Sequence, residues 1–338
     1  MVQRIPCWGK LKAGREETQG DDRTRAQRAE GDTDRVQMRG TTMTKSPTVA
    51  ILGLGTMGRG MAGTLLRDGY APALWNRDPD QLAPFRDTAA RTFESVTDAV
   101  REAEVVITMV SDAHAVQDIA IQRGMLGALE SGSVWAQMST IGVSGFERVA
   151  ALVAERRPDV SLVDAPVTGS RDAAESGTLT ILASGPDAAR DRLAPLFDTL
   201  GQHTLWLGPA GLGSGIKLAN NVMLAFLVQG LGEALSVAHR ANLTTEAVTK
   251  LFEITAFSSP YLSHKLDRIE HGQYDAEFSL DLALKDVTLA LDSVDRDSHP
   301  VLVALADQWN KASHDGFGSQ DLTAVTRVLV ESRENVRG

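Results

Sequence analysis

Short apolar runs alternate with amphipathic stretches along the first part of the chain, and the alternation stops near residue 208. The runs Thr48–Leu52, Ala73–Trp75, Glu104–Val110, Ser133–Gln137, Ser161–Asp164, Leu179–Ala183 and Thr204–Trp206 read as β-strands. Near-continuous apolar strands are buried on both faces, which points to a parallel sheet covered by helices. Past Gly211 the period becomes helical. Met223, Leu224, Phe226, Leu227, Val228, Leu231, Leu235 and Val237 follow a glycine-rich turn, with no proline until Pro260. This stretch predicts one long, largely buried helix. The expected fold class is α/β: a doubly wound sheet over residues 46–208, then an all-α domain over 209–330.

Residues 1–45 follow neither pattern. Glu16, Glu17, Asp21, Asp22, Arg23, Arg25 and Arg28 stand among few bulky apolar residues, the composition of a disordered tail. No apolar stretch follows its charges, so it does not read as a secretory signal, and its acidic residues do not suit a mitochondrial leader. A start at Met38 or Met43 is the other reading of this segment.

Composition narrows the function. The length of 338 residues suits about two domains, and a hydrophobic content of 43% is enough for a sizeable core. A net charge of −10 without a basic stripe argues against a nucleic-acid partner, while leaving a small anionic substrate open. The single cysteine, Cys7, cannot close an internal disulfide, which fits the reducing cytoplasm. No apolar run is expected to reach the roughly 18–20 residues that span a bilayer.

The first strand leads into Gly53-Leu54-Gly55-Thr56-Met57-Gly58, followed by Met61, Leu65 and Leu66 at helical spacing. Strand, GxGxxG turn and helix together are the context in which this motif binds a dinucleotide in a Rossmann fold. Gly53 allows the tight turn, Gly55 admits the pyrophosphate, and Gly58 lets helix and strand pack closely. The second strand ends at Asn76-Arg77-Asp78-Pro79, where an NAD-specific site usually carries an acidic residue. A neutral amide and a guanidinium suit a 2′-phosphate, so NADP is favoured over NAD. Asp78 is expected to cap the helix that starts at Pro79.

Further along, Met138-Ser139-Thr140 and Asp164-Ala-Pro-Val-Thr168-Gly169-Ser170 follow strand ends, where ligands of doubly wound sheets sit. The second loop offers hydroxyls and backbone N–H groups to an anion. Lys217 and Asn221 lie one turn apart near the start of the long helix. In apolar surroundings such a lysine loses its proton readily and can act as an acid/base, although a snorkelling lysine with a capping asparagine has the same spacing. Lys285-Asp286, on a later helix, read alone as a solvated charge pair. The seven histidines show no metal-ligand spacing, so no metal site is expected, and Ser111 and Ser139 lack a GxSxG elbow.

Four of these stretches occur in an order that resembles the β-hydroxyacid dehydrogenase family, related to 3-hydroxyisobutyrate and 6-phosphogluconate dehydrogenases. They are the Gly53–Gly58 turn, the Asp164–Ser170 loop, Gly211-Leu-Gly-Ser-Gly-Ile-Lys217-Leu-Ala-Asn-Asn221, and Phe278–Asp286. The resemblance covers about 48–330. It implies a hydride transfer between NADP(H) and a small hydroxy acid or the matching aldehyde or keto acid. Lys217 takes the place of the family's general acid/base and Asn221 that of its orienting amide. Thr168, Gly169 and Ser170 match the substrate-carboxylate loop, while Thr140 and Lys285 flank the nicotinamide. Thr168 stands for the usual serine, Ser170 for a glycine, and Gln137 for a frequent aspartate. The Thr-Gly-Ser loop with Ala174-Glu-Ser-Gly177 is most similar to the glyoxylate and succinic semialdehyde reductase branch. Members commonly form homodimers or homotetramers. Imine reductases and non-catalytic assembly modules share this architecture but lack the lysine, so Lys217 argues against both.

Overall fold

The computed structural model describes residues 47–331; the tail expected over residues 1–45 lies outside them. Six parallel strands form the main sheet: β1 (Val49–Leu52), β2 (Ala73–Trp75), β3 (Arg91–Thr92), β4 (Val105–Thr108), β5 (Val134–Gln137) and β6 (Ser161–Asp164). Their order is β3-β2-β1-β4-β5-β6, the doubly wound arrangement with its reversal between β1 and β4. The crossovers carry α1 (Thr56–Arg67), α2 (Val96–Val100), α3 (Ala113–Gln117), α4 (Met125–Ala128) and α5 (Val143–Arg156).

Strand periodicity divides the core. Val49, Ile51, Val105 and Ile107 enter one apolar layer, while Ala50, Leu52 and Val106 enter the layer on the other face. All of these side chains are buried, which explains why the strands read as unbroken apolar runs. β3 escapes the sequence reading because two residues, Arg91 and Thr92, carry no apolar signature.

The two late strand candidates do not extend that sheet. β7 (Val167–Thr168), β8 (Leu179–Ala183) and β9 (Gly201–Trp206) form a separate sheet, with β7 antiparallel and β9 parallel to β8. The segment expected as the substrate loop therefore contains a short strand. Between these strands lie α6 (Arg171–Ser176) and α7 (Asp187–Leu200).

Beyond residue 211 the chain is helical: α8 (Leu212–Arg240), α9 (Thr245–Glu253), α10 (Pro260–Glu270), α11 (Leu280–Leu291), α12 (Pro300–Ala312) and α13 (Val325–Glu331), with short turns between. Ala225 and Val228 of α8 join Leu280, Val287, Leu305 and Trp309 in one apolar cluster. Leu231 and Leu235 join Val248 and Leu266 in another. The expectation about membrane-spanning length needs correction here. α8 is long and apolar enough to cross a bilayer by length and composition, because its small residues and few charges hardly interrupt it. Ser214, Lys217, Asn221 and Ser236 are among its buried residues, but only 39% of its most apolar stretch is buried, so the helix expected to be largely buried is buried along one face only.

Candidate active site

The glycine turn comes first in the chain. Gly53 has φ +104°, a left-handed conformation that only glycine adopts easily, and its N–H donates to the Trp75 carbonyl at 2.9 Å. A Cβ on Gly58 would stand 2.0 Å from the Gly53 carbonyl oxygen, so α1 sits closer to the turn than any side chain allows. Gly55 faces open space, and no side chain caps α1. An uncapped helix N-terminus beside open backbone fits a pyrophosphate, whose oxygens accept from its free N–H groups. Thr56 is exposed on that first turn and Met57 is partly buried beneath it.

Two residues expected at the cofactor serve the turn itself. Leu54 is fully buried, and its N–H donates to Asn76 Oδ1 at 2.8 Å. Asn76 Nδ2 donates to the Asp78 carbonyl at 3.0 Å. Its amide thus braces the end of β2 against the glycine turn. Arg77 beside it is exposed and makes no hydrogen bond or ion pair with any described residue. Asp78 takes the capping position expected of it, accepting from the Asp80 N–H at 3.1 Å, on a 3-10 turn Pro79–Phe85.

At the end of β5, Gln137 does what an aspartate could not. Its Oε1 accepts from the Ser139 N–H at 2.8 Å and its Nε2 donates to the Ser139 carbonyl at 2.9 Å. An ionised carboxylate has no donor for the second bond. Ser139 Oγ in turn accepts from the Val110 N–H at 2.8 Å, joining the ends of β4 and β5. The result is a fixed path for Thr140. Its carbonyl accepts from Lys285 Nζ at 2.7 Å, across from α11.

Lys217 and Asn221 occupy buried positions on α8. Burial lowers the Lys217 pKa from 10.5 to about 8; the negative Asp286 opposes that shift and the positive Lys285 adds to it. No described residue makes a hydrogen bond to the Lys217 ammonium. Asn221 does not bond to Lys217. Its Nδ2 donates to Asp286 Oδ2 at 2.5 Å, and its Oδ1 accepts from Asn220 at 3.0 Å. Lys285 Nζ lies 2.8 Å from Asp286 Oδ1. Asp286 is 3% exposed, which overturns the solvated-pair reading. Sequence reasoning missed it as a site residue. Its one signal was a carboxylate next to the lysine of the fourth motif.

The remaining candidates lie at the small sheet. Thr168 ends β7, partly exposed, and its hydroxyl makes no hydrogen bond to a described residue. Gly169 is exposed, and Ser170 caps α6 by accepting from the Ala173 N–H at 3.3 Å. The loop leaves β6 at Asp164, whose buried carboxylate accepts from the Ser214 N–H and hydroxyl on α8.

Comparison with known proteins agrees with this layout. Residues 48–208 match the family described as the NAD-binding domain of 6-phosphogluconate dehydrogenase. Residues 211–329 match the family described as NAD-binding of NADP-dependent 3-hydroxyisobutyrate dehydrogenase. A glyoxylate/succinic semialdehyde reductase 1 from Arabidopsis thaliana is 30% identical over 291 residues, which cover 85% of this chain and 99% of the relative. The 3-hydroxyisobutyrate dehydrogenase of Mycobacterium tuberculosis, solved with L-serine, has a TM-score of 0.75 at 26% identity, covering 84% of this chain and 99% of that one. An imine reductase from Myxococcus stipitatus in complex with NADP+ shares the fold, with a TM-score of 0.58 at 20% identity over 84% of this chain and 100% of its own. The chain belongs to the β-hydroxyacid dehydrogenase family, as a nicotinamide-dependent hydroxyacid dehydrogenase of the 3-hydroxyisobutyrate dehydrogenase type.

Proposed function

We propose that the protein interconverts a short hydroxy acid and its aldehyde or keto acid, of the glyoxylate, succinic semialdehyde or 3-hydroxyisobutyrate kind, using NADP(H). The observation that carries this reading is Lys217: a buried ammonium with a pKa near 8 and no hydrogen bond to any described residue. Such a group keeps its donors for a ligand oxygen and exchanges its proton near neutral pH. Gly53, Gly55, Gly58 and the first turn of α1 hold the pyrophosphate, Arg77 the 2′-phosphate, and Thr140 with Lys285 the nicotinamide end. When bound, the cofactor supplies or takes up the hydride at the substrate carbon.

Lys217 moves the proton at the substrate oxygen, giving it in reduction and removing it in oxidation. Asp286 keeps a negative charge near Lys217, so the ammonium is retained despite its burial. Asn221 holds that carboxylate in place. The Thr168 hydroxyl and the Gly169–Ser170 backbone receive the substrate carboxylate. The substrate is a small carboxylate and the assembly a homodimer or larger.

The test is Lys217→Ala. Positioned acid catalysis is worth about 10²–10⁴-fold, so kcat should fall at least about a hundredfold with cofactor binding little changed. In the native enzyme, reduction should decline as pH rises through about 8, where the lysine loses its proton, and oxidation should rise there. Near-native turnover of the variant with glyoxylate, succinic semialdehyde and short keto acids would remove Lys217 from this role. Turnover of a cyclic imine alone would place the enzyme with the imine reductases.

A further inference from the structure

One buried carboxylate ties the substrate loop to the helix that carries Lys217. Asp164 ends β6 with no solvent exposure. Its Oδ2 accepts from the Ser214 N–H at 2.6 Å and its Oδ1 from the Ser214 hydroxyl at 2.8 Å. Its backbone exchanges two hydrogen bonds with Ser184, at 2.9 and 2.7 Å. Ser184 Oγ accepts from the Gly213 N–H at 2.9 Å, so β6 and β8 together receive the first N–H groups of α8. Gly213 makes the approach possible. A Cβ there would stand 2.3 Å from the Leu182 carbonyl oxygen and 2.9 Å from that of Asp164.

The geometry has a direct consequence for the reaction. Ser214 precedes Lys217 by three residues, roughly one turn or about 4.5 Å along α8. Asp164 also begins the loop that reaches Thr168 and Gly169 four and five positions later. One side chain therefore fixes both the starting point of the carboxylate-binding loop and the register of the proton donor. Lys217 responds electrostatically to Asp286 and Lys285, and Asp164 is not among the groups that shift it. Asp164 acts on the lysine through position.

We infer that Asp164 is a positioning residue for the hydride-transfer reaction, and that its ionised form holds Lys217 in register with the substrate loop. The carboxylate accepts both Ser214 donors as charge-assisted bonds, stronger than those a neutral carboxyl accepts. Once protonated, one oxygen becomes a donor, and the Ser214 bond to it weakens. Burial raises the Asp164 pKa to about 6, while the hydrogen bonds from Ser214, Ser184 and the Gly211 backbone pull it down. These partners, Ser184 just past β8, Gly211 just before α8 and Ser214 on it, are all uncharged. The inference rests on the role proposed for Lys217.

The experiment compares Ser214→Ala and Asp164→Asn with the native enzyme. Native kcat for reduction should fall several-fold as pH drops, with a midpoint near pH 6. Ser214→Ala removes a hydrogen bond that lowers the Asp164 pKa, so this midpoint should move to higher pH. Asp164→Asn should have a lower kcat, an unchanged cofactor KM and no such limb. A second readout is independent of turnover. A carboxyl whose pKa is higher folded (about 6) than unfolded (about 4) stabilises the fold fully below pH 4, and that contribution is lost as pH rises through 6. The Tm of the native protein minus that of Asp164→Asn should therefore shrink between about pH 4 and pH 6. An acid limb that stays put in Ser214→Ala, or a Tm difference independent of pH, overturns the assignment. Ser214→Ala keeps the test decisive if Asp164→Asn does not fold. An inactive Lys217→Ala beside an unmoved acid limb sinks the role of Asp164 alone, whereas an active Lys217→Ala sinks the proton-donor reading.

Discussion

Arg77 is the residue on which the proposed choice of cofactor rests. It is exposed, without a hydrogen bond or ion pair among the described residues, and stands one position past the Asn76 brace. A guanidinium so placed is available for a 2′-phosphate; Asp78 makes no ion pair with it, its carboxylate accepting from Asp80 and Gln81 of the turn. We expect NADP to be preferred by at least about tenfold in kcat/KM, or ~1.4 kcal/mol of transition-state stabilisation. Arg77→Ala should erase most of that preference and leave turnover with NAD intact. Steady-state kinetics with both cofactors checks this, and a native preference for NAD would contradict it. At this scale the sequence was informative where backbone geometry needs a fixed spacing, as in the glycine turn, and it placed Lys217 and Asn221 one turn apart without revealing that Asn221 bonds to Asp286. It was silent on partners distant in the chain. Nothing near Asn76 announces Leu54, and nothing near Asn221 announces Asp286, 65 residues on.

The elements were legible in proportion to their apolar periodicity. Buried strands of the main sheet and α8 declared themselves, while β3 and β7 have only two residues each and depend on neighbours for their pairing. The interior of the helical half held a feature that periodicity does not encode. Lys265 of α10, 2% exposed, lies 3.1 Å from both carboxylate oxygens of Asp321, which is fully buried, and 2.9 Å from Glu277. Asp321 also accepts from the backbone N–H groups of Glu277, Phe278 and Thr323, so it joins α10, the start of α11 and the approach to α13. Removing one partner of a buried pair leaves an uncompensated charge, at a cost of about 3–5 kcal/mol. Lys265→Ala should destabilise the protein by that order, seen as a lower denaturant midpoint. A loss within about 1 kcal/mol, the size of an exposed pair, would show that water reaches the site.

The whole molecule raises a question that one chain does not answer: what covers the outer face of α8. The helix runs roughly 43 Å at 1.5 Å per residue, beyond the ~30 Å span of a small domain. Ile216, Met223 and Val237 are spaced by multiples of seven, which places them on one side, and they are 42%, 60% and 71% exposed. Ile254 and Phe257, just past α9, add 83% and 59% exposed apolar side chains. Exposed apolar side chains ranged along one side of a helix on a folded chain point to a binding surface. The occupant we expect is a second copy of the chain, because the seven-residue stripe is self-complementary when two such helices pack. Lys217 lies on the same helix, buried where the stripe is exposed, so a dimer built on this stripe would place subunit contact and proposed active site on one element. Light scattering after size exclusion should give at least twice the 36.2 kDa of one chain. Met223→Lys with Val237→Asp should shift the mass toward one chain at micromolar concentration, with the far-ultraviolet circular dichroism preserved. A native mass near that of one chain would mean that the C-terminal helices cover α8 on their own.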